Sequence, residues 1–185
     1  MKRTIIISLL IIITFIIVHS IRKRKNDSLG RVNLKRPPKV RIVYSKKVKP
    51  NERPKVTKSE DAVEILRGIW SKQIEAREEV FALLMDKNNR VLGYQLVGKG
   101  GVSGVVMDSR LILSVAIQTL SSGVILAHNH PSGNINPSSI DLKITQRIKK
   151  ALKLMGINLL DHIILTKHDF YSFADYGGLE DENGI

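Results

Sequence analysis

A short apolar run, Gly123 to Ala127, ends directly on His128-Asn129-His130, and that junction constrains the chain more than any other stretch. Such a run reads as a buried strand. In extended backbone, residues two apart point to the same side, so His128 and His130 can converge while Asn129 faces away. Pro131, Gly133 and Pro137 then mark a loop. Ser138, with Asp141 three positions on, has the pattern of a helix start. Ile140, Ile144, Ile148, Leu152 and Met155 recur at helical spacing, and Gly156 supplies a stop. The spacing predicts strand, loop and helix, with Asp141 in the first helical turn.

That convergence has a chemical meaning. His128, His130 and Asp141 combine two imidazoles with a carboxylate, a three-ligand set that leaves a zinc ion one position for water. An ion held so can lower the pKa of its water to roughly 7. Two His and a carboxylate also suit iron or manganese. A lone H-x-H is usually structural, and Ser and Asp at a helix start are usually caps. The whole constellation after a buried strand is what points to a metal.

At these residues the chain resembles the JAB/MPN metalloprotease group, whose motif is a distant Glu, then H-x-H, seven residues, Ser, two residues and Asp. Within that group it is similar to the RadC branch, through His128 to Gly133, Pro137-Ser138-Ser139-Ile140-Asp141 and Asp161-His162-Ile163-Ile164. Tyr171-Ser172-Phe173 resembles the closing strand of that branch. The likeness runs from about Ser59 to Leu179 and covers none of the first forty residues.

The resemblance implies a cytidine-deaminase-like α/β fold, a mixed sheet flanked by helices, a zinc ion, and hydrolysis of a peptide or isopeptide bond. Its Glu is placed by matching Arg77 to Asp86: counting back from Asp86 gives Glu78, and counting from Phe81 gives Glu79. Neighbouring strand residues face opposite sides, so only one can enter the site, and Glu78 is taken. In the implied mechanism Glu78 takes a proton from the zinc-bound water and later returns it to the leaving amine. Ser138 would hydrogen-bond the water or the oxyanion, its alternative being a helix cap alone. Asn129 and Ser132 could orient ligands. Asp161 and His162 read as a buried hydrogen-bonded pair, and His168 as a solvated turn residue.

Charge divides the chain. Residues 1–58 hold 17 Lys or Arg against 2 acids, and residues 59–185 hold 13 against 15. All the excess of the +13 net charge therefore lies before the implied catalytic domain. A nucleic-acid enzyme more usually carries its basic patch on the folded face that holds the substrate. Here the positive charge forms an arm, Arg22 to Lys58, interleaved with Pro37-Pro38, Pro50 and Pro54, and Tyr44 is its one aromatic residue. Within it Val40 to Tyr44 alternates loosely, as a short strand would. With no Cys, disulfides and thiolate zinc sites are excluded.

Before the arm, Thr4 to Ile21 forms a hydrophobic stretch of eighteen residues, about 27 Å as a helix. It reads as an N-terminal hydrophobic helix and membrane anchor, with an uncleaved signal-like segment as the rival. Arg22 to Lys25 after it predicts a domain facing the cytoplasm. The expected organisation is residues 1–21 anchor, 22–58 basic linker arm, 59–179 catalytic domain and 180–185 tail. Expected partners are a peptide or protein substrate, the membrane through residues 4–21, anionic lipid along the arm, and alternatively nucleic acid through residues 22–58.

The remaining domain reads as a helix opened by Thr57-Lys58-Ser59-Glu60, with Trp70 in the core near its end. Two strands follow, joined at Asp86 to Asn89. Gly98-Lys99-Gly100-Gly101 reads as a turn, Met107 to Leu120 as a helix, and about 162–173 as a closing hairpin. The leading expectation is a membrane-tethered zinc hydrolase. The alternative is a non-catalytic, DNA-associated factor that keeps the metal fold as a binding module. Nucleobase deamination is disfavoured, since Cys ligands and a P-C-x-x-C segment are absent.

Overall fold

The computed structural model describes residues 48–101 and 104–180, together with Ile17, Val18 and Ser20. Those three are helical and exposed. The rest of the hydrophobic stretch, most of the basic arm including Val40 to Tyr44, and residues 181–185 lie outside the described residues.

Alternating burial builds the domain. In β1 (Glu79–Met85), Val80, Ala82 and Leu84 pack to one side of the sheet, Phe81, Leu83 and Met85 to the other, and every residue is buried. β1 lies between β2 (Val91–Lys99) and β3 (Gly123–Asn129), antiparallel to both. β3 runs parallel to β4 (Asn158–Leu165), which pairs antiparallel with β5 (Phe170–Ser172). The order is β2-β1-β3-β4-β5, a mixed sheet. α1 (Ser59–Ile69) covers one face through Ala62, Val63 and Leu66. α2 (Ser109–Gln118) and α3 (Ser139–Leu154) cover the other through Ile112, Ala116, Ile148 and Leu152. The expected α/β layout of a mixed sheet flanked by helices is what forms.

Local signals explain the boundaries. Gly156 takes φ +70° just after α3, the left-handed stop that glycine tolerates best. Asp108 caps α2 by accepting the Arg110 N–H. α1 begins one residue later than expected: Asp61, not Glu60, reaches back to the Thr57 N–H and hydroxyl. Gly98 and Lys99 belong to β2 rather than to a turn. A Cβ on Gly98 would stand 3.0 Å from Val80 Cγ2 and 3.1 Å from the Val106 carbonyl, so close approach explains that glycine. Lys55 bridges to Arg90, so residues 54–56 lie on the outer edge of β2 at its start.

One expectation is corrected. A membrane-anchored chain with its domain facing the cytoplasm is not upheld, because among the described residues no helix is long and apolar enough to cross a membrane. A span needs roughly 20 predominantly apolar residues. The longest described helix, α3, has 16 and carries Lys143, Arg147 and Lys150 on its outer face.

Candidate metal centre

β3 delivers the two histidines. His128 and Asn129 close the strand, and Val80 is the residue opposite His128 on β1. His128 therefore shares the α2/α3 face with Val124 and Leu126, while Asn129 takes the α1 face. His130 follows, its N–H donating to the Leu165 carbonyl at the end of β4. The loop then returns to Ser138, which caps α3, and Asp141 arrives in the first turn.

These three side chains meet. One ligand atom from each of His128, His130 and Asp141 can be chosen so that all lie within 4.8 Å of one another. The Nε2 atoms of the histidines are 3.0 Å apart, and Asp141 Oδ1 is 3.2 Å from His128 Nε2. Bonds of roughly 2.0–2.1 Å around tetrahedral zinc imply ligand separations of roughly 3.3 Å; the two at His128 are close to this, His130 Nε2 stands 3.7 Å from Asp141 Oδ2, and the donor chemistry suits such an ion. His130 Nδ1–H donates to the Asn134 carbonyl at 2.7 Å, so Nε2 is the ring nitrogen left to face the centre. Asp141 Oδ2 is taken by the Ser138 N–H at 2.7 Å and the Ser138 hydroxyl at 2.5 Å, which leaves Oδ1 for the centre.

Ser138 thus stands as an N-cap and as a partner of Asp141. Glu78 precedes β1 and is half-buried. Its carbonyl accepts the Gly100 N–H at 2.8 Å, which extends the ladder by one bond. Alternation from Val80 puts Glu78 on the His128 face and Glu79 on the opposite one. Glu79 is buried, with Oε1 3.5 Å from Lys99 Nζ and Oε2 without a partner.

Asn129 orients no ligand side chain. It accepts the Glu79 N–H at 2.7 Å and donates to the Arg77 and Ile74 carbonyls at 2.9 and 2.6 Å. Ser132 accepts the Asn134 N–H at 3.4 Å, within the turn that presents the carbonyl to His130. Asp161 and His162 are both buried, but their side chains part. Asp161 accepts the N–H groups of His162 and Ala174 and the Ser172 hydroxyl. The His162 ring reaches His128 Nδ1 at 2.9 Å and Thr145 Oγ1 at 2.6 Å. Burial pushes the His162 pKa well below its ordinary value, so the ring is neutral. Thr145 was not among the expected site residues. Its spacing of four from Asp141, one helical turn, is the signal that could have found it. His168 is exposed in the β4–β5 turn.

The chain is similar to known proteins over the described domain. A family model described as RadC-like JAB domain matches residues 56–179. A UPF0758 protein of Flavobacterium johnsoniae is 38% identical over 123 residues, 66% of this chain and 53% of the relative. One from Aquifex aeolicus is 38% identical over 142 residues, 76% of this chain and 60% of the relative. One from Porphyromonas gingivalis is 42% identical over 102 residues, 55% of this chain and 45% of the relative. The chain spans about half the length of the curated relatives it matches.

Proposed function

Because the chain belongs to the RadC-like JAB family, we propose that it is a zinc-dependent hydrolase of peptide or isopeptide bonds in a peptide or protein substrate. The observation that carries this reading is the convergence of His128, His130 and Asp141, with His130 Nδ1 and Asp141 Oδ2 engaged elsewhere so that Nε2 and Oδ1 face inward. Zinc held by these residues would supply Lewis acidity, activating a water and polarising the scissile carbonyl. Glu78, on the same face of the sheet, accepts the proton of the attacking water and hands it to the leaving amine. Ser138 orients Asp141 with its hydroxyl proton in the resting site and turns that single proton to the developing oxyanion during turnover. The cytidine-deaminase-like fold and the division into an arm at 22–58, a domain at 59–179 and a tail at 180–185 belong to the same proposal.

The test is elemental analysis of the full chain beside His130→Ala, followed by cleavage of a peptide library with wild type and Glu78→Gln. About one zinc per chain, lost in His130→Ala, with turnover lost in Glu78→Gln, is the expected result. A folded chain that takes up no metal would overturn the hydrolase reading. Salt-sensitive DNA binding without metal would favour a DNA-associated binding module instead.

A further inference from the structure

Behind His128 stands a buried chain of polar groups that the hydrolytic mechanism does not use. His128 Nδ1 lies 2.9 Å from His162 Nε2, His162 Nδ1 lies 2.6 Å from Thr145 Oγ1, and Thr145 Oγ1 lies 2.6 Å from the Asp141 carbonyl. Thr145 and His162 have no exposed surface. They come from α3 and β4, and Phe173 stacks on His162 with ring centroids 4.9 Å apart.

The direction of every proton in this chain follows from its far end. A carbonyl can only accept, so the Thr145 hydroxyl donates to Asp141 and its lone pairs face His162. His162 must then carry its proton on Nδ1 and present a bare Nε2. That nitrogen accepts from His128 Nδ1–H, which leaves His128 Nε2 bare and aimed at His130 Nε2 and Asp141 Oδ1. The opposite direction would leave two oxygens 2.6 Å apart with no proton between them.

We infer that Thr145 and His162 are positioning residues that fix the tautomer of His128, so that its Nε2 lone pair is ready for a cation. The inference rests on the metal reading of His128, His130 and Asp141. It also explains why two imidazole nitrogens sit 3.0 Å apart without a proton to share, since a cation is the partner that both lone pairs accept.

Without the Thr145 hydroxyl, the His162 Nδ1–H would be buried with nothing to receive it. The ring then gains by moving its proton to Nε2 and donating to His128 Nδ1. That puts the His128 proton on Nε2 and blocks the ligand position. Thr145→Ser keeps the hydroxyl and should keep the order.

The test compares the full-length wild type, Thr145→Val and Thr145→Ser by zinc titration against a chromophoric chelator and by 15N resonances of the histidine rings in the zinc-free state. His128 is expected to be Nδ1–H in wild type and Thr145→Ser. Thr145→Val is expected to move His128 toward Nε2–H and to weaken zinc roughly 10- to 100-fold, with Thr145→Ser within about twofold of wild type. Should valine unsettle α3, His162→Gln against His162→Leu gives the same contrast, because the amide repeats the acceptor and the donor. A Thr145→Val chain that binds zinc like wild type, or a wild type with His128 Nε2–H, would overturn the inference. A wild type with His128 Nδ1–H that takes up no zinc would overturn the metal reading and leave the tautomer control standing.

Discussion

The side-chain carbonyl of Asn129 accepts the backbone N–H of Glu79 at 2.7 Å, while the amide nitrogen of the same residue donates to Arg77 at 2.9 Å. One side chain thereby grips the backbone on both sides of Glu78. Asn129→Ala is expected to lower kcat roughly tenfold to a hundredfold while zinc affinity stays within about twofold of wild type, because a misplaced base costs rate and the ligands are untouched. Steady-state kinetics beside chelator competition would check this split. Equal losses in both would show that Asn129 supports the fold generally.

The two candidate bases lie on opposite faces of β1, so exchanging them is informative. Glu78→Gln should cost roughly 10²–10⁴ in kcat/KM with metal retained, the ordinary contribution of general base catalysis. Glu79→Gln should leave turnover near wild type, since Glu79 turns toward the Phe81 side and Lys99. The reverse ranking in a peptide-cleavage assay would move the base to Glu79.

Metal should also appear in stability. Ligand that binds only the native state stabilises by about 2.7 kcal/mol at a hundred times its Kd. Thermal unfolding of wild type should therefore rise with zinc and fall with chelator, and His130→Ala should respond to neither. An equal shift in the variant would place the zinc elsewhere.

Asp161 supplies a pH dependence of its own. Burial pushes its carboxyl up to about 6 from an ordinary 3.8, against hydrogen bonds from Ala174, Ser172 and His162. Below about pH 4 both states hold the proton. Between about pH 4 and 6 the native state keeps it while the unfolded chain has lost it, so this residue's contribution falls as pH rises, by up to about 3 kcal/mol, and is level above. Asp161→Asn can still accept from two N–H groups and offer its NH₂ to Ser172. Denaturant titrations from pH 4 to 7 should show wild type losing stability relative to Asp161→Asn over that window; parallel curves would refute it.

Phe173 closes the floor under His162 and is fully buried. Phe173→Ala is expected to cost about 3–5 kcal/mol in urea unfolding and to weaken zinc binding. A loss of stability with zinc affinity unchanged would separate the packing of this ring from the orientation of His162.

Much of this could be read from the sequence because short-range physics decides it. The apolar run before His128, the four-residue recurrence of Ile144, Ile148 and Leu152, and Gly156 each state their local structure, and the elements formed where those signals lie. The end of β2 was misjudged because Gly98 looks like a turn residue, whereas it answers to the side chain of Val80 on the neighbouring strand. The partner of His128 was hidden for the same reason. His162 lies 34 positions away, and only the parallel pairing of β3 with β4 brings it behind the site. Asp161 and His162 look like a pair in the sequence, yet adjacent strand residues must part, and they serve opposite faces.

All three metal-facing side chains and both residues behind His128 fall within Gly123 to Leu165, the single β–α–β unit formed by β3, α3 and β4. An ion gripping His128, His130 and Asp141 would act on the unfolded chain as a cross-link does, closing the short loop between the strand end and the helix start. A link around a loop of about 15 residues removes roughly 3 kcal/mol of chain entropy from the denatured ensemble. The ion would thus favour the strand–helix corner from which the sheet's one parallel pairing is assembled, making it a folding clamp as well as a reagent.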